Sequence, residues 1–175
     1  MGTVDDHRRT DASHPAKWLE PDERATWLAL AGVLEMLPGA LDGQLQRDAG
    51  LTFFEYMVLA MLSEQPDRTL RMSRLAAVTN GSLSRLSHVA TRLEKQGYLR
   101  RLASAQDRRA TDAVLTDKGW EKVVATAPGH VEWVRSLVID PLTPAQQGQL
   151  RSIGERIVSA IDPHGNRLPV GSPAG

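Results

Sequence analysis

Ser84, Arg85, His88, Thr91, Arg92 and Lys95 recur at a spacing that places them on one side of a helix, with Ser82 at its start. Hydroxyls can hydrogen-bond base edges, and guanidinium and ammonium groups can neutralise phosphates. The chemistry of this face is therefore recognition of a polyanion. The other side carries Leu83, Leu86, Val89, Ala90 and Leu93, an apolar stripe suited to a core. A helix built this way can lie in the major groove of DNA, which is about 12 Å wide. Its N-terminal half is the part that usually meets the bases. Ser82, Ser84, Arg85 and His88 are thus base-edge candidates. Arg92 and Lys95 are phosphate candidates, and Thr91 shares their face. For His88, a DNA contact and simple exposure both stay open.

Charge distribution supports this chemistry. The 175-residue chain is neutral, with 21 basic and 21 acidic residues. Yet the stretch from Arg68 to Asp112 holds ten basic and three acidic residues, net +7, which leaves −7 for the rest. A basic face on an acidic body is an electrostatic footprint of nucleic-acid binding. The alternative is chance clustering on a solvated surface. Other classes are excluded by what is missing. With no cysteine there is no disulfide, thiolate zinc site or thiol redox switch. The histidines His7, His14, His88, His130 and His164 have no metal-ligand spacing, and three of them lie near the chain ends. There is no Gly-rich phosphate loop and no pair of carboxylates in an apolar setting. The expectation is no enzyme, no metal and no cofactor. No apolar run approaches the ~18 residues of a membrane helix, and the first 17 residues lack an apolar signal-peptide core. A cytoplasmic protein with no membrane partner is expected.

The elements that position the basic helix follow from period and punctuation. Residues 1–17 read as a disordered tail, and residues 163–175, rich in proline and glycine, as another. A first helix starts at Pro21, with Asp22 and Glu23 in its first turn, and its region spans 18–50. Pro38-Gly39 predicts a kink or a break in it. Thr52 with Glu55 is a capping box for a second, mostly apolar helix. Thr69–Arg71 reads as a very short strand and Met72–Val78 as a short helix. Thr79-Asn80-Gly81 then forms a turn into the basic helix, which ends at Gly97. Residues 98–102 and 110–115 read as strands around a basic loop. Thr116 caps a further helix with Trp120, Val123, Val124 and Ala127 as its stripe, which Pro128-Gly129 breaks or bends. Thr143-Pro144 opens a last helix with Leu150, Ile153, Ile157 and Ile161 on one face.

Helix, turn, helix and two-stranded wing make a winged helix-turn-helix. The fold class expected is mainly α with a small β-wing. The DNA-binding lobe is 51–115, flanked by an N-terminal helix (18–50) and by C-terminal helices (116–162). Asp107, Arg108 and Arg109 stand at the wing tip. An arginine there can enter the narrow minor groove, and Asp107 can pair with an arginine to hold the loop. The alternative for these charges is a solvated hairpin tip.

At this point the chain resembles the MarR family of bacterial transcriptional regulators. The strings that carry the likeness are LTFFEYMVLAMLSE, RMSRLA, SLSRLSHVATRLEKQGYLRR and DRRATDAVLTDKG, in that order. The last is similar to the family's wing signature, Asp-x-Arg followed by a strand ending in Leu-Thr-x-x-Gly. The resemblance makes Asp107 the wing aspartate and Arg109 the minor-groove reader, with Arg108 at the variable position. It implies a homodimer whose first and last helices interlock, which makes 18–50 an N-terminal dimerisation helix and 116–162 C-terminal dimerisation helices. Its operator in double-stranded DNA would be pseudo-palindromic, with half-sites about one turn, ~10 bp, apart. It also implies an effector pocket for a small aromatic or phenolic ligand, with a repressor released by that ligand. Leu34, Leu37, Met57, Met61, Trp120, His130 and Trp133 are the lining candidates. Against that stand simpler readings: core packing for the methionines and tryptophans, and a surface or capping role for His130. Two further classes stay open, a winged helix that binds protein and an architectural DNA binder without sequence preference.

Overall fold

The computed structural model describes residues 17–104, 107, 109–163 and 165. The tails expected at 1–17 and 163–175 lie almost wholly outside these residues. The chain forms two compact units that part between Met36 and Leu37. Helix α1 runs from Pro21 to Ala49. In the first unit it is exposed: Trp27, Leu28, Val33, Leu34 and Met36 each keep more than half of their surface.

No break occurs at Pro38-Gly39, because α1 continues through Pro38. Proline removes one backbone donor, and the turns on either side keep their own bonds. Burial of Leu41, Gln44 and Leu45 then holds the last turns. Asp42, in the same stretch, accepts the backbone N–H of Phe53 at 2.7 Å and so helps to start α2, Phe53–Ser63. The Thr52–Glu55 capping box forms as the sequence predicts.

Strand β1 (Thr69–Arg71), α3 (Met72–Val78), α4 (Leu83–Lys95), β2 (Leu99–Ala103) and β3 (Thr111–Leu115) follow. The strands make one antiparallel sheet in the order β1-β3-β2, so β1 completes the two-stranded wing as a third strand. Thr69 faces Val114, and Leu99 faces Leu115. Helix α5 (Asp117–Val134) passes through Pro128 unbroken. A π-helical segment, Arg135–Ile139, extends it, which periodicity did not anticipate. Helix α6, Pro144–Ile161, starts at a capping box of Thr143 and Gln146. Among the described residues no helix is long and apolar enough to cross a membrane.

The core is the meeting of α1's end, α2, α3, α4 and the sheet. Leu45, Val58, Leu59, Leu62, Leu75, Leu86, Ala90, Leu93 and Ala113 are wholly buried. One residue of the expected apolar stripe departs from it. Leu83 is 53% exposed. It is the first residue of α4, and beneath it lies an open groove of 540 Å³ along α3 and the turn instead of core. On α5, Val123 is buried while Val124 is exposed. Helix α6 buries none of its residues, and Leu150, Ile153, Ile157 and Ile161 stay exposed along it.

Candidate nucleic-acid interface

The turn before α4 fixes where its polar face begins. Thr79 ends α3, and its hydroxyl donates to the Leu75 carbonyl at 2.7 Å. Asn80 takes a left-handed backbone, φ 50°. The Gly81 N–H donates to the Ala76 carbonyl at 2.9 Å. A β-carbon on Gly81 would lie 2.7 Å from Cζ of Phe54, so any other residue would have to displace that ring for α4 to start this close to α2. Ser82 is the N-cap, and its Oγ accepts the Arg85 N–H at 3.1 Å. That hydroxyl oxygen, a base-edge candidate in the sequence, serves the helix end. The ring of Phe54 also carries the Arg85 guanidinium, whose Cζ sits 4.0 Å from its centre. Such a cation–π contact limits where the arginine can swing.

Ser84, Arg85, His88, Thr91, Arg92 and Lys95 are all exposed on α4, as the helical spacing requires. Besides Arg85 on its ring, two of them are hydrogen-bonded to neighbours through their side chains. The Thr91 hydroxyl donates to the Ser87 carbonyl at 3.0 Å and accepts from Arg101 Nη2 at 3.1 Å. Arg92 pairs through Nε and Nη2 with Oε1 of Glu55, a carboxylate with only 2% of its side chain exposed. Sequence reasoning missed that pair, although an acid inside an apolar helix was a visible signal. It also missed the clasp between α4 and the wing. Arg101 on β2 donates to Glu94 from its backbone N–H at 3.0 Å, from Nε at 3.1 Å and from Nη2 at 2.7 Å. These hydrogen bonds hold the Glu94 carboxyl below the usual carboxylate range. The signal was again a lone acid in a basic stretch.

The wing tip is shaped by Asp107. Its Oδ1 accepts the backbone N–H of Arg109 at 3.0 Å, and its carbonyl accepts the Ala110 N–H at 2.8 Å. Across the loop the Ser104 N–H donates to the Ala110 carbonyl at 2.9 Å. The aspartate thus holds the loop through an arginine's amide, where a guanidinium was expected. Arg108 lies outside the described residues. Arg109 shares a 430 Å³ groove with Arg71, Arg101, Ser73, Ser87 and Leu83, at the junction of α3, α4 and the wing.

The effector-pocket candidates stand in different surroundings. Leu34 is exposed in the first unit, and Leu37, Met57 and Met61 are half-buried. Trp120 lies under the Arg68 guanidinium, 4.4 Å from Cζ to ring centre. It is ten residues from His130 on the same helix, about 15 Å along the axis. His130 is neither a surface nor a capping residue. It is 8% exposed, and its Nδ1 lies 3.1 Å from Oε1 of the buried Gln44. The rings of Tyr56 and Phe53 stand 4.7 and 6.1 Å from it, centre to centre. Trp133 Nε1 donates to the Ala40 carbonyl at 3.2 Å. Gln44, Phe53 and Tyr56 had not been singled out from the sequence.

Burial pushes the His130 imidazole below its ordinary 6.5. It also raises the Tyr56 phenol, with the charge of Glu64 adding to the rise. The folded chain therefore resists protonating His130 where the unfolded chain accepts the proton. Its contribution to stability is complete above about 6.5 and is lost as pH falls towards the depressed folded value. We expect urea midpoints to drop from pH 7 to 5.5, and His130→Asn to flatten that drop. An equal slope in the variant would assign it elsewhere.

An α3–turn–α4 unit with an antiparallel wing clasped to it, and cations along both, defines a winged helix-turn-helix of the DNA-binding class. Residues 49–110 match the model of the MarR family. The chain is 43% identical to Sco3205, a MarR family transcriptional regulator from Streptomyces coelicolor whose crystal structure is in complex with DNA. That likeness covers 84% of this chain and 96% of that one, with a TM-score of 0.81. It is 37% identical to AbsC, a MarR family transcriptional regulator of the same organism, over 85% and 99% of the two chains, with a TM-score of 0.80. The transcriptional repressor MprA of Escherichia coli K12 is 28% identical over 107 residues, which span 61% of this chain and 60% of that relative's length. The chain belongs to the MarR family of transcriptional regulators.

Proposed function

We propose that this chain is a homodimeric, cytoplasmic repressor that recognises a pseudo-palindromic operator in double-stranded DNA and is released by a small aromatic ligand. The observation that carries the reading is the exposed basic face of α4, clasped to the wing by Arg101 and Glu94. Helix and wing can then present their cations as one surface. In this reading Ser84, Arg85 and His88 meet base edges, Lys95 meets phosphate, and Arg109 reaches the minor groove. Thr91 and Arg92 add to the face while bracing it. The dimer is supported by the apolar side chains that α6 leaves in water, Leu150, Ile153, Ile157 and Ile161. A second copy covering them would bury that surface. A ligand that favours a state with misaligned recognition helices would shift the population off DNA.

The test is anisotropy with DNA from upstream of the chain's own gene, beside scrambled DNA. Tight binding that falls steeply with salt is expected. Arg109→Ala should weaken it by about 1–3 kcal/mol. Equal affinity for scrambled DNA would make the protein an architectural binder. No binding at low salt would leave a protein-interaction module. The dimer has its own check, since Ile157→Asp should sediment as monomer or unfold. A folded dimer in that variant would remove α6 from the interface.

A further inference from the structure

We infer that Leu83 reads the 5-methyl group of a thymine in each operator half-site. The inference rests on the reading of α4 as the recognition helix. Leu83 is a large apolar side chain left mostly in water in the first turn of α4, inside the stretch of net charge +7. It stands between the 430 Å³ groove of Arg71, Arg101 and Arg109 and the 540 Å³ groove along α3 and the turn. Its backbone is fixed from both sides. The Ser82 cap holds the helix start, and Gly81 sits against Phe54 with no room to spare. Arg85 and Ser87, close by on the same helix, offer charge and a hydroxyl to a polyanion.

Those neighbours select the occupant. An apolar protein surface laid over Leu83 would also cover Arg71 and Arg109 and take their charges out of water. DNA satisfies both kinds of group, since its phosphates can take Arg71 and Arg109 while Arg101 stays on Glu94. In the major groove the apolar feature a base pair presents is the thymine methyl. The first turn of a recognition helix is also where base edges are met. Leu83 then adds recognition of the thymine methyl at one position per half-site, a feature that hydrogen-bonding residues do not read.

The experiment uses the full chain and an operator selected from random DNA, resynthesised with deoxyuridine in place of each thymine in turn. Uracil keeps every hydrogen-bonding group and loses only the methyl. At one symmetric pair of positions uracil should weaken binding about fourfold per half-site, from the burial of one methyl-sized group. Leu83→Ala should weaken the thymine operator similarly and abolish the uracil effect there. Leu83→Met, which keeps an apolar reach, should retain it. If no thymine shows a uracil effect in the unmodified protein, the inference is overturned while operator binding itself stands. The same holds if the effect persists in Leu83→Ala. If selection yields no preferred sequence, the reading of α4 fails with it. Should Leu83→Ala fold poorly, Leu83→Gln, which keeps the length and loses the apolar tip, takes its place, and a uracil effect that persists in it overturns the inference.

Discussion

Gly119→Ala should destabilise the fold by about 3 kcal/mol, the upper end of what overpacking a core costs. A β-carbon there would lie 2.0 Å from the Tyr98 carbonyl oxygen and 2.6 Å from Cδ1 of Leu115. The leucine could turn away, but the carbonyl could not. It accepts the Thr116 N–H at 3.0 Å and the Thr116 hydroxyl at 3.0 Å. Thr116 is itself the cap of α5, and its Oγ accepts the Gly119 N–H at 3.0 Å. The hydroxyl also reaches the Gly97 carbonyl at 2.7 Å, just past the end of α4. Threonine and glycine three apart are thus one joint, in which the start of α5 is pressed onto the chain between α4 and the wing. Moving α5 outward to admit a methyl would break the joint. Gly97→Ala provides the contrast. Its nearest neighbour would be Cδ of Lys118 at 3.6 Å, an ordinary contact, so only the left-handed backbone, φ +80°, opposes it. That strain costs about 1–2 kcal/mol. Urea unfolding of both variants should rank Gly119→Ala as clearly the worse. An equal or reversed ranking would mean that the joint is loose.

That joint also shows why some of this fold was legible in the sequence and some was not. The caps at Thr52, Thr116 and Thr143 and the stop at Gly97 were readable because each is a bond between residues a few positions apart. At Gly97 the chain closes with Tyr98 N–H on the Leu93 carbonyl and Gly97 N–H on the Glu94 carbonyl, both 3.0 Å. Periodicity likewise placed the polar face of α4. What periodicity cannot see is the neighbour. The stripe put Leu83 inside because it lies in phase with Leu86 and Ala90. At Leu83 the neighbouring surface of α3 leaves an open groove, so the phase had nothing to bury there. His130 looked like a surface residue for the same reason, since its partner Gln44 is 86 positions away. Nor can composition separate a cation that serves DNA from one that serves its own fold. Arg85, Arg92 and Arg101 read alike in the sequence. In the structure one lies on a ring, one pairs with a buried acid, and one clasps the wing.

Glu55→Ala should cost about 2–4 kcal/mol of stability and also weaken operator binding. The stability loss has two sources. Glu55 Oε2 accepts the Thr52 N–H at 2.8 Å and the Thr52 hydroxyl at 3.0 Å, and losing such a capping box costs about 1 kcal/mol. Its Oε1 holds Arg92, and a hydrogen bond to a charged group contributes about 1.5–3 kcal/mol. The Arg92 side chain is 55% exposed, which favours the lower half of that range. The effect on DNA is where the sign decides. A carboxylate near a polyanion repels it, so deleting one should tighten binding if Glu55 acts only through its charge. If Glu55 acts by holding Arg92, and through it the angle of α4 against α2, deletion should loosen binding instead. We expect loosening, measured at a temperature where the variant is still folded. Arg92→Ala then separates the arginine's two roles by salt dependence. Losing one phosphate contact per protomer lowers the slope of log affinity against log salt by about 0.9 for each. A pure brace would lower affinity at every salt concentration and leave the slope alone. With Glu55 already occupying two of its nitrogens, Arg92 should behave as a brace. Tighter operator binding by the Glu55→Ala protein would show that the acid only repels phosphate, and Arg92 would return to the DNA contacts.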